Sequence, residues 1–130
     1  MALERAAMGA AEGTPISWEG KEEGGQLIWD PAPLWEALLS SHGTIEEKAR
    51  GFHEALVSMV VQSAAYFGMK DVLLSGGCFQ NGMLLSRVEE ELSRRHFQVY
   101  TNEKVPAGDG GIALGQGYYG QLKSSEKRKA

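Results

Sequence analysis

The stretch LLSGGCFQNGMLL, residues 73–85, constrains the fold of this chain more than any other feature of its sequence. It passes from an apolar strand through two adjacent glycines, Gly76 and Gly77, into a segment with leucines at helical spacing. Because glycine has no Cβ, such a pair indicates either a tight turn of the backbone or the close approach of another group. A strand, a short turn and a helix in this order predict the start of a parallel crossover.

The longest helix is predicted over residues 45–67. Thr44 is followed three residues later by Glu47, which is the spacing of a capping box, and Gly68 suits the left-handed residue that ends a helix. Helical periodicity places one set of side chains on a common face of this helix: Phe52, Leu56, Met59, Val60, Ser63 and Phe67.

The other predicted elements are a strand in QLIWD, a short helix in PLWEALLSSHG, a strand in FQVYT and a final helix over residues 112–122. This alternation predicts an α/β fold, with a mixed sheet packed against helices. Two glycine-rich loops follow strands on the same side of the sheet, where ligands bind in folds of this class.

The first of these loops has two interpretations. Ser75, Gly76 and Gly77 leave the strand and Asn81 lies at the start of the next helix, so that free backbone N–H groups could face an anion. The stretch matches neither the GxGxxG nor the GxxxxGK[ST] pattern, and spacing alone favours a purely structural turn.

The second loop, VPAGDGGIALGQG, holds Asp109 between Gly108 and Gly110. Its carboxylate could cap the following helix, or it could approach a metal or a nucleotide unhindered by neighbouring side chains. Gly115 and Gly117 lower the helix propensity of the last helix and predict close packing against another element.

Composition excludes several classes of protein. A net charge of −4 without a clustered basic face argues against nucleic-acid binding, and the apolar runs are too short for a membrane span. A single cysteine and an N-terminus without signal-peptide features predict a cytoplasmic protein. Residues 121–130 are predicted to form a basic, disordered tail, which leaves residues 1–120 as one domain or a piece of one.

Several conspicuous side chains are predicted to be structural. Cys78 is interpreted as a small buried hydrophobe, and His53 as a side chain that packs or caps at the helix face, because neither has a partner motif. The three tryptophans are predicted to lie in the core: Trp18, Trp29 and Trp35.

The pair LSGGCFQNGMLL and FQVYTNEKVPAGDGGIALGQGYYG, with FHEAL upstream, closely resembles the C-terminal end of HypF, the carbamoyltransferase family of [NiFe]-hydrogenase maturation. The resemblance extends from MALERAA to Gly120. It implies the ribonuclease-H-like fold of actin, sugar kinases and Hsp70, in which two lobes clamp ATP, and identifies this chain as the second lobe.

The resemblance also implies roles for individual residues. Gly76 and Gly77 would lie at the phosphates or ribose of ATP, with Asn81 as a polar nucleotide contact, and Asp109 would complete a divalent-metal site. Ser75 and Gly110 complete the predicted nucleotide-binding set. The family makes carbamoyl-adenylate from carbamoyl phosphate and ATP, and passes the carbamoyl group to the C-terminal cysteine of its partner HypE.

The resemblance leaves the site incomplete. The metal-binding histidines of the family belong to the first lobe, and the three histidines here are too far apart to replace them: His42, His53 and His96. A truncated lobe, inactive without the remainder of HypF or a first-lobe protein, is therefore predicted, and its uncovered apolar surface predicts a homo-dimer or a lobe-like partner. The alternatives are a stand-alone HypF-related binding or assembly module and an unrelated α/β nucleotide-binding domain.

Overall fold

The computed structural model describes residues 2–127. Over that range the helices are α1 (Ala2–Ala7), α2 (Ala32–Ser40), α3 (Ile45–Phe67), α4 (Gly82–Arg94) and α5 (Ile112–Lys127). The strands are β1 (Glu19–Glu23), β2 (Gln26–Asp30), β3 (Asp71–Leu74) and β4 (Gln98–Thr101), and two 3₁₀ turns span Gly77–Gln80 and Asp109–Gly111.

The predicted α/β class is confirmed, with both parallel and antiparallel pairing. β1 and β2 form an antiparallel hairpin whose turn residues, Gly24 and Gly25, have positive φ. β3 and β4 are parallel, with Val72 opposite Val99, and α4 provides the crossover between them. In the described residues these are two separate two-stranded sheets, each packed with helices, rather than strands of one continuous sheet.

The predicted ends of α3 are confirmed. Thr44 Oγ1 accepts the Glu47 N–H at 3.2 Å, the Glu47 carboxylate accepts the Thr44 N–H at 2.7 Å, and Gly68 ends the helix with φ of 63°. The helix therefore begins and ends where local chemistry specifies it.

The main core lies between α3, α4 and the β3–β4 pair. Its buried side chains are Val57, Val61, Leu74, Leu84, Val88 and Leu92. The side chains predicted to share one face of α3 are half-buried, except Phe67, which is exposed. Because α1, α2 and α4 all contact α3, its buried positions lie on more than one side of the helix.

A second contact region lies where the N-terminal segment crosses α3. The Thr14 N–H donates to the Glu47 carbonyl over 2.9 Å, and α1 packs along the same helix. At the crossing, Gly13 and Gly51 let the two backbones touch: a Cβ on Gly51 would lie 2.2 Å from the Thr14 carbonyl oxygen. The glycine inside α3 is thus required by a neighbouring segment.

The tryptophans are not core residues. Trp35 is more than half exposed, while Trp18 and Trp29 are half-buried and meet edge-on with ring centroids 6.3 Å apart. Trp29 also donates its Nε1–H to Ser63 Oγ at 3.2 Å, which fixes the hairpin against α3. The prediction failed because Trp18 and Trp29 pack at the hairpin and Trp35 packs on α2 against Phe52, and each ring keeps an exposed side.

Helix α5 extends away from the body. Ile112, Leu114 and Tyr118 are each more than half exposed, and a Cβ on Gly115 or Gly117 would meet no atom within 4 Å. The close packing predicted from the two glycines is therefore not provided by the described chain. The helix continues to Lys127, through most of the segment predicted to be a disordered tail, and residues 128–130 lie outside the described range.

Between residues 2 and 127, no helix combines the length and the apolar character that a membrane span needs.

An ion-pair network joins α3 to α4. Arg87 makes two hydrogen bonds to the Glu54 carboxylate, at 3.1 and 3.2 Å, and also contacts Glu90 and Glu91, while Arg50 pairs with Glu54 at 3.1 Å. Partial burial alone would raise the pKa of Glu54, but the hydrogen bonds and positive charge of Arg87, with Arg50, outweigh it and hold the pKa below its ordinary value of 4.5.

This network predicts a specific acid sensitivity. Because folded Glu54 has a lowered pKa, its contribution is present above pH 4.5 and is lost as the pH falls through the lower folded pKa. The melting temperature should therefore fall as the pH is lowered below the ordinary carboxyl pKa of 4.5, and Arg87→Gln should make that fall shallower. The control Arg94→Gln removes an exposed guanidinium bound to Glu91 and should retain the wild-type slope. Equal slopes in both variants would contradict the prediction.

Candidate functional site

The two glycine loops meet at one edge of the β3–β4 pair. Leu74 pairs with Thr101 at the carboxyl ends of the two parallel strands, so the loops that follow leave from the same edge. We call residues 75–80 the first glycine loop and residues 102–111 the second glycine loop. The Gly76 N–H donates to the Ala107 carbonyl over 2.8 Å, which joins the two loops directly. The predicted convergence of the loops is confirmed.

A cavity of about 510 Å³ lies between the loops and the start of α5. Its wall includes Ser75, Pro106, Gly108, Ile112, Leu114 and Tyr118. Of the predicted site residues, Ser75 lines this cavity, whereas Gly76, Gly77, Asn81, Asp109 and Gly110 do not. The cavity wall from α5 was not predicted from the sequence, because the apolar residues of this helix suited packing equally well.

The two glycines of the first glycine loop are required for different reasons. Gly76 has φ of 108° and ψ of 163°, a conformation that is essentially restricted to glycine. Gly77 is exposed and has no such constraint, and a Cβ on it would meet no atom within 4 Å. The described chain therefore explains Gly76 but gives no steric reason for Gly77, which leaves an open surface at the start of the 3₁₀ turn.

The second glycine loop is shaped by close contacts. A Cβ on Gly108 would lie 2.9 Å from Gln80 Nε2 of the first loop, and one on Gly111 would lie 2.6 Å from the Pro106 carbonyl oxygen. Gly110 is less constrained, since its nearest neighbour would be Pro106 at 3.6 Å. Gln80 was not predicted as a site residue. The missing Cβ of Gly108, which faces Gln80, lets the two glycine loops approach each other.

Asn81 is buried, and its side chain is used inside the protein. Its Oδ1 accepts the Leu84 N–H at 3.0 Å and caps α4, while its Nδ2 lies 2.7 Å from His53 Nε2. His53 is buried as well, and its Nδ1 lies 2.8 Å from the Ala49 carbonyl. The helix-face packing predicted for His53 is therefore confirmed, and its link to Asn81 is new. The nucleotide contact implied for Asn81 stays a prediction.

The N-terminus of α4 already faces a carboxylate of this chain. The Met83 N–H donates to Glu4 Oε1 over 3.2 Å, and this hydrogen bond is the main reason that the pKa of Glu4 is lowered. Together with the Asn81 cap, it satisfies donors that were predicted to face a bound anion. The sequence carries no local sign of this contact, since Glu4 and Met83 are 79 residues apart.

Asp109 lies at the start of the 3₁₀ turn before α5 and is exposed. Its carboxylate makes no hydrogen bond or ion pair with the residues described here. No group of three or more His, Cys, Asp or Glu side chains suited to a metal occurs within residues 2–127. A single carboxylate is not a complete ligand set for a divalent cation, so the metal role implied for Asp109 stays a prediction.

Cys78 is exposed on the first glycine loop, so its predicted burial is wrong. It is part of the 3₁₀ turn, in which Phe79 packs against the core while Cys78 faces solvent. His42 is exposed, as predicted.

A family model described as the carbamoyltransferase Kae1-like domain, second subdomain, matches residues 1–116. The chain belongs to the HypF carbamoyltransferase family. Within that family it corresponds to the second, C-terminal subdomain of the Kae1-like domain, and its ribonuclease-H-like fold follows from the same match. We refer to it below as the HypF-type lobe.

Relatives of known name agree with this placement. The lobe is 40% identical to a carbamoyltransferase HypF homolog of Cupriavidus necator in an alignment of 100 residues that covers 70% of this chain and 25% of that protein. It is 32% identical to carbamoyltransferase HypF of Synechocystis in an alignment of 108 residues that covers 78% of this chain and 13% of that protein.

Solved structures show the same relationship. A full-length HypF crystallised in its phosphate- and nucleotide-bound form superposes with a TM-score of 0.79 at 34% identity, over 88% of this chain and 16% of that one. HypF of T. kodakarensis gives a TM-score of 0.70 at 26% identity, over 97% of this chain and 17% of that one. The HypF-type lobe thus spans a quarter or less of the length of the relatives that it matches.

Proposed function

We propose that the HypF-type lobe forms the second half of the nucleotide site of a carbamoyltransferase. The observation that carries this proposal is the hydrogen bond between the Gly76 N–H and the Ala107 carbonyl, which brings two glycine-rich loops to one edge of a parallel strand pair. In α/β folds, ligands bind beyond the carboxyl ends of such strands. The open backbone at Gly77 is the surface that a phosphate or ribose could approach.

The chemistry of the site suits an ATP-like ligand with two kinds of contact. The exposed glycine backbone can face the polar phosphate and ribose groups, while the apolar wall formed by Ile112, Leu114 and Tyr118 suits a purine ring. The nucleotide-bound form of a related HypF supports this assignment. In this proposal Ser75 and Gly110 lie at the edges of the nucleotide site.

A divalent cation would be shared between two lobes. Asp109 would contribute one carboxylate oxygen, and the remaining ligands would come from a first lobe, because the described part of this chain offers no further cluster. Such a cation supplies charge neutralisation at nucleotide phosphates when it is bound. The lobe alone would therefore hold nucleotide weakly and would not catalyse the reaction.

The whole enzyme would make carbamoyl-adenylate from carbamoyl phosphate and ATP: water releases inorganic phosphate from carbamoyl phosphate, and the resulting carbamate attacks the α-phosphorus of ATP while pyrophosphate leaves. The thiolate of a cysteine at the C-terminus of a HypE-like acceptor would then attack the carbamoyl carbon, forming a C–S bond while AMP leaves. The contribution of this lobe would be to bind the nucleotide and orient it against the group that it reacts with, which lowers the barrier through positioning. The lobe alone, mixed with these substrates and the acceptor, should yield no carbamoylated acceptor by mass spectrometry.

The test is nucleotide binding by calorimetry, with the lobe alone and with a separately produced first lobe of a HypF relative. We expect ATP with Mg²⁺ to bind the pair of lobes more tightly than this lobe alone, and Gly77→Val to weaken binding to the pair at least about tenfold. The melting temperature of Gly77→Val should stay close to that of the wild type, because its side chain would enter open space.

Ser93→Val is the matched control, since it adds the same side chain to an exposed site at the other end of α4 and should leave binding unchanged. Absence of ATP binding by the wild-type pair, or full binding by Gly77→Val, would overturn the proposed function.

A further inference from the structure

His53 is an unusual residue for the position that it occupies. It is 1% exposed on α3, where its buried neighbours along the helix are Gly51, Ala55 and Val57. An imidazole in such surroundings is costly unless both of its nitrogens have partners. Both do, and the second partner belongs to a different element.

The hydrogen bonds fix which nitrogen of His53 carries the proton. The Ala49 carbonyl can only accept, so Nδ1 must donate to it across 2.8 Å. Nε2 is then the acceptor, and it receives an N–H of the Asn81 amide at 2.7 Å. The ring therefore holds the Asn81 side chain in one orientation, with Nδ2 towards α3 and Oδ1 towards the Leu84 N–H.

Asn81 connects this arrangement to the first glycine loop. It directly follows the 3₁₀ turn and caps α4, and its own N–H donates to the Cys78 carbonyl over 3.1 Å. The other end of the turn is held by the bond from Gly76 to Ala107. The turn that presents Gly77 is thus fixed at both ends, once by the second glycine loop and once by His53.

Capping alone does not account for His53. The cap of α4 needs only the Oδ1 of Asn81, and serine or aspartate can provide such an oxygen without a buried partner. The additional Nδ2 bond to a buried imidazole is directional, and it restricts the rotation of the residue that ends the turn. A site residue held in this way by a supporting side chain is more precisely placed than one on a free loop.

We propose that His53 is a positioning residue for the nucleotide, acting through Asn81 to hold the 3₁₀ turn of the first glycine loop in its binding conformation. This inference rests on the proposed function for its ligand, but the conformational part stands on the lobe alone. It separates two kinds of residue at the site: Gly77 would approach the nucleotide, whereas His53 would never touch it.

The first test is amide hydrogen exchange measured by NMR in the complete chain. The Phe79 N–H donates to the Gly76 carbonyl within the turn, and the Val88 N–H, in the middle of α4, serves as the internal reference. His53→Leu and Asn81→Ser each remove the hydrogen bond between His53 Nε2 and Asn81 Nδ2. Asn81→Ser keeps an oxygen that can cap α4. We expect exchange at Phe79 to rise roughly fivefold relative to Val88 in both variants.

Val57→Ala is the control, because it lies one turn along the same helix and destabilises the core while leaving the hydrogen bond between His53 and Asn81 in place. His53→Gln, which keeps a donor and an acceptor, should restore part of the protection. The inference would be overturned by an unchanged ratio of the Phe79 to the Val88 exchange rate in His53→Leu. An equal rise of that ratio in Val57→Ala would overturn it as well.

The second test is ATP binding to the lobe combined with a first lobe of a HypF relative. His53→Leu should weaken ATP binding about tenfold, whereas Val57→Ala should leave it unchanged. Equal ATP affinity in the wild type and His53→Leu would overturn the inference even if the proposed function holds. Failure of the wild type to bind would overturn the proposed function, and the exchange measurement would still decide whether His53 positions the turn.

Discussion

Replacing Gly51 by alanine should lower the free energy of unfolding by about 3 kcal/mol, although the same change in an exposed helix is stabilising. The added Cβ would lie 2.2 Å from the Thr14 carbonyl oxygen and 3.1 Å from Ile16 Cδ1. Backbone atoms of the crossing segment cannot move aside without losing the bond from the Thr14 N–H to the Glu47 carbonyl. Thermal unfolding followed by circular dichroism should show a melting temperature lower by about 10 °C.

The matched control for this change is Gly115→Ala, another glycine inside a helix. A Cβ there would meet no atom within 4 Å, so helix propensity alone applies and α5 should become slightly more stable. Opposite signs at the two positions are the expected result. A melting temperature of Gly51→Ala equal to or above that of the wild type would show that the N-terminal segment does not cross α3 as described.

Asn81→Ala should cost about 2 to 4 kcal/mol of stability. The change removes the oxygen that caps α4 at the Leu84 N–H, which is worth about 1 kcal/mol. It also leaves the buried Nε2 of His53 without its partner, which costs a further 1 to 3 kcal/mol or so. Urea denaturation of the lobe without ligand measures this loss directly.

Asn81→Ser is the companion variant, since its hydroxyl can cap α4 while the bond to His53 remains broken. It should recover about 1 kcal/mol of the loss, which is the value of the cap. The resemblance to HypF implied instead that Asn81 contacts the nucleotide. Full stability of Asn81→Ala together with lost ATP binding would support that role and contradict the internal one.

Because Asn81 both caps α4 and bonds to His53, its replacement changes the stability of the lobe. If Asn81→Ala unfolds the lobe, binding is lost for that reason, and the loss does not show that Asn81 touches the ligand. Gly77 is the better probe, because the described chain places no atom within 4 Å of its substituent. Loss of binding at Gly77 without loss of stability would report on the ligand alone.

Local signals in the sequence were sufficient for most elements of the fold. The bounds of α3, its capping box and its glycine end were all predicted correctly, because each depends on residues within four positions of one another. The strands β2, β3 and β4 and the helix α4 also follow local patterns of apolar residues and breakers. The convergence of the loops followed from the parallel crossover, which places both loops at one edge.

The errors of prediction occur where contacts with distant segments decide whether a side chain is buried. Cys78 was predicted to be buried because it has no partner motif, but its side chain is exposed on the 3₁₀ turn. Trp35 was predicted to lie in the core from its ring, but α2 leaves it on an open side. The glycines of α5 were predicted to pack, but the helix has no partner within the described residues. In each case residue type gives a general tendency to be buried, whereas the placement of neighbouring elements decides the individual side chain.

The sequence by itself determined the order of helices and strands, the α/β class and the two loops that identify the HypF family. These properties depend on short-range backbone preferences and on motifs that are continuous in the chain. Only the tertiary structure placed Glu4 at the start of α4, Gly51 beneath Thr14 and His53 against Asn81. Those contacts join residues 28 to 79 positions apart, and no pattern within a single helix or strand specifies which distant donor will meet which acceptor.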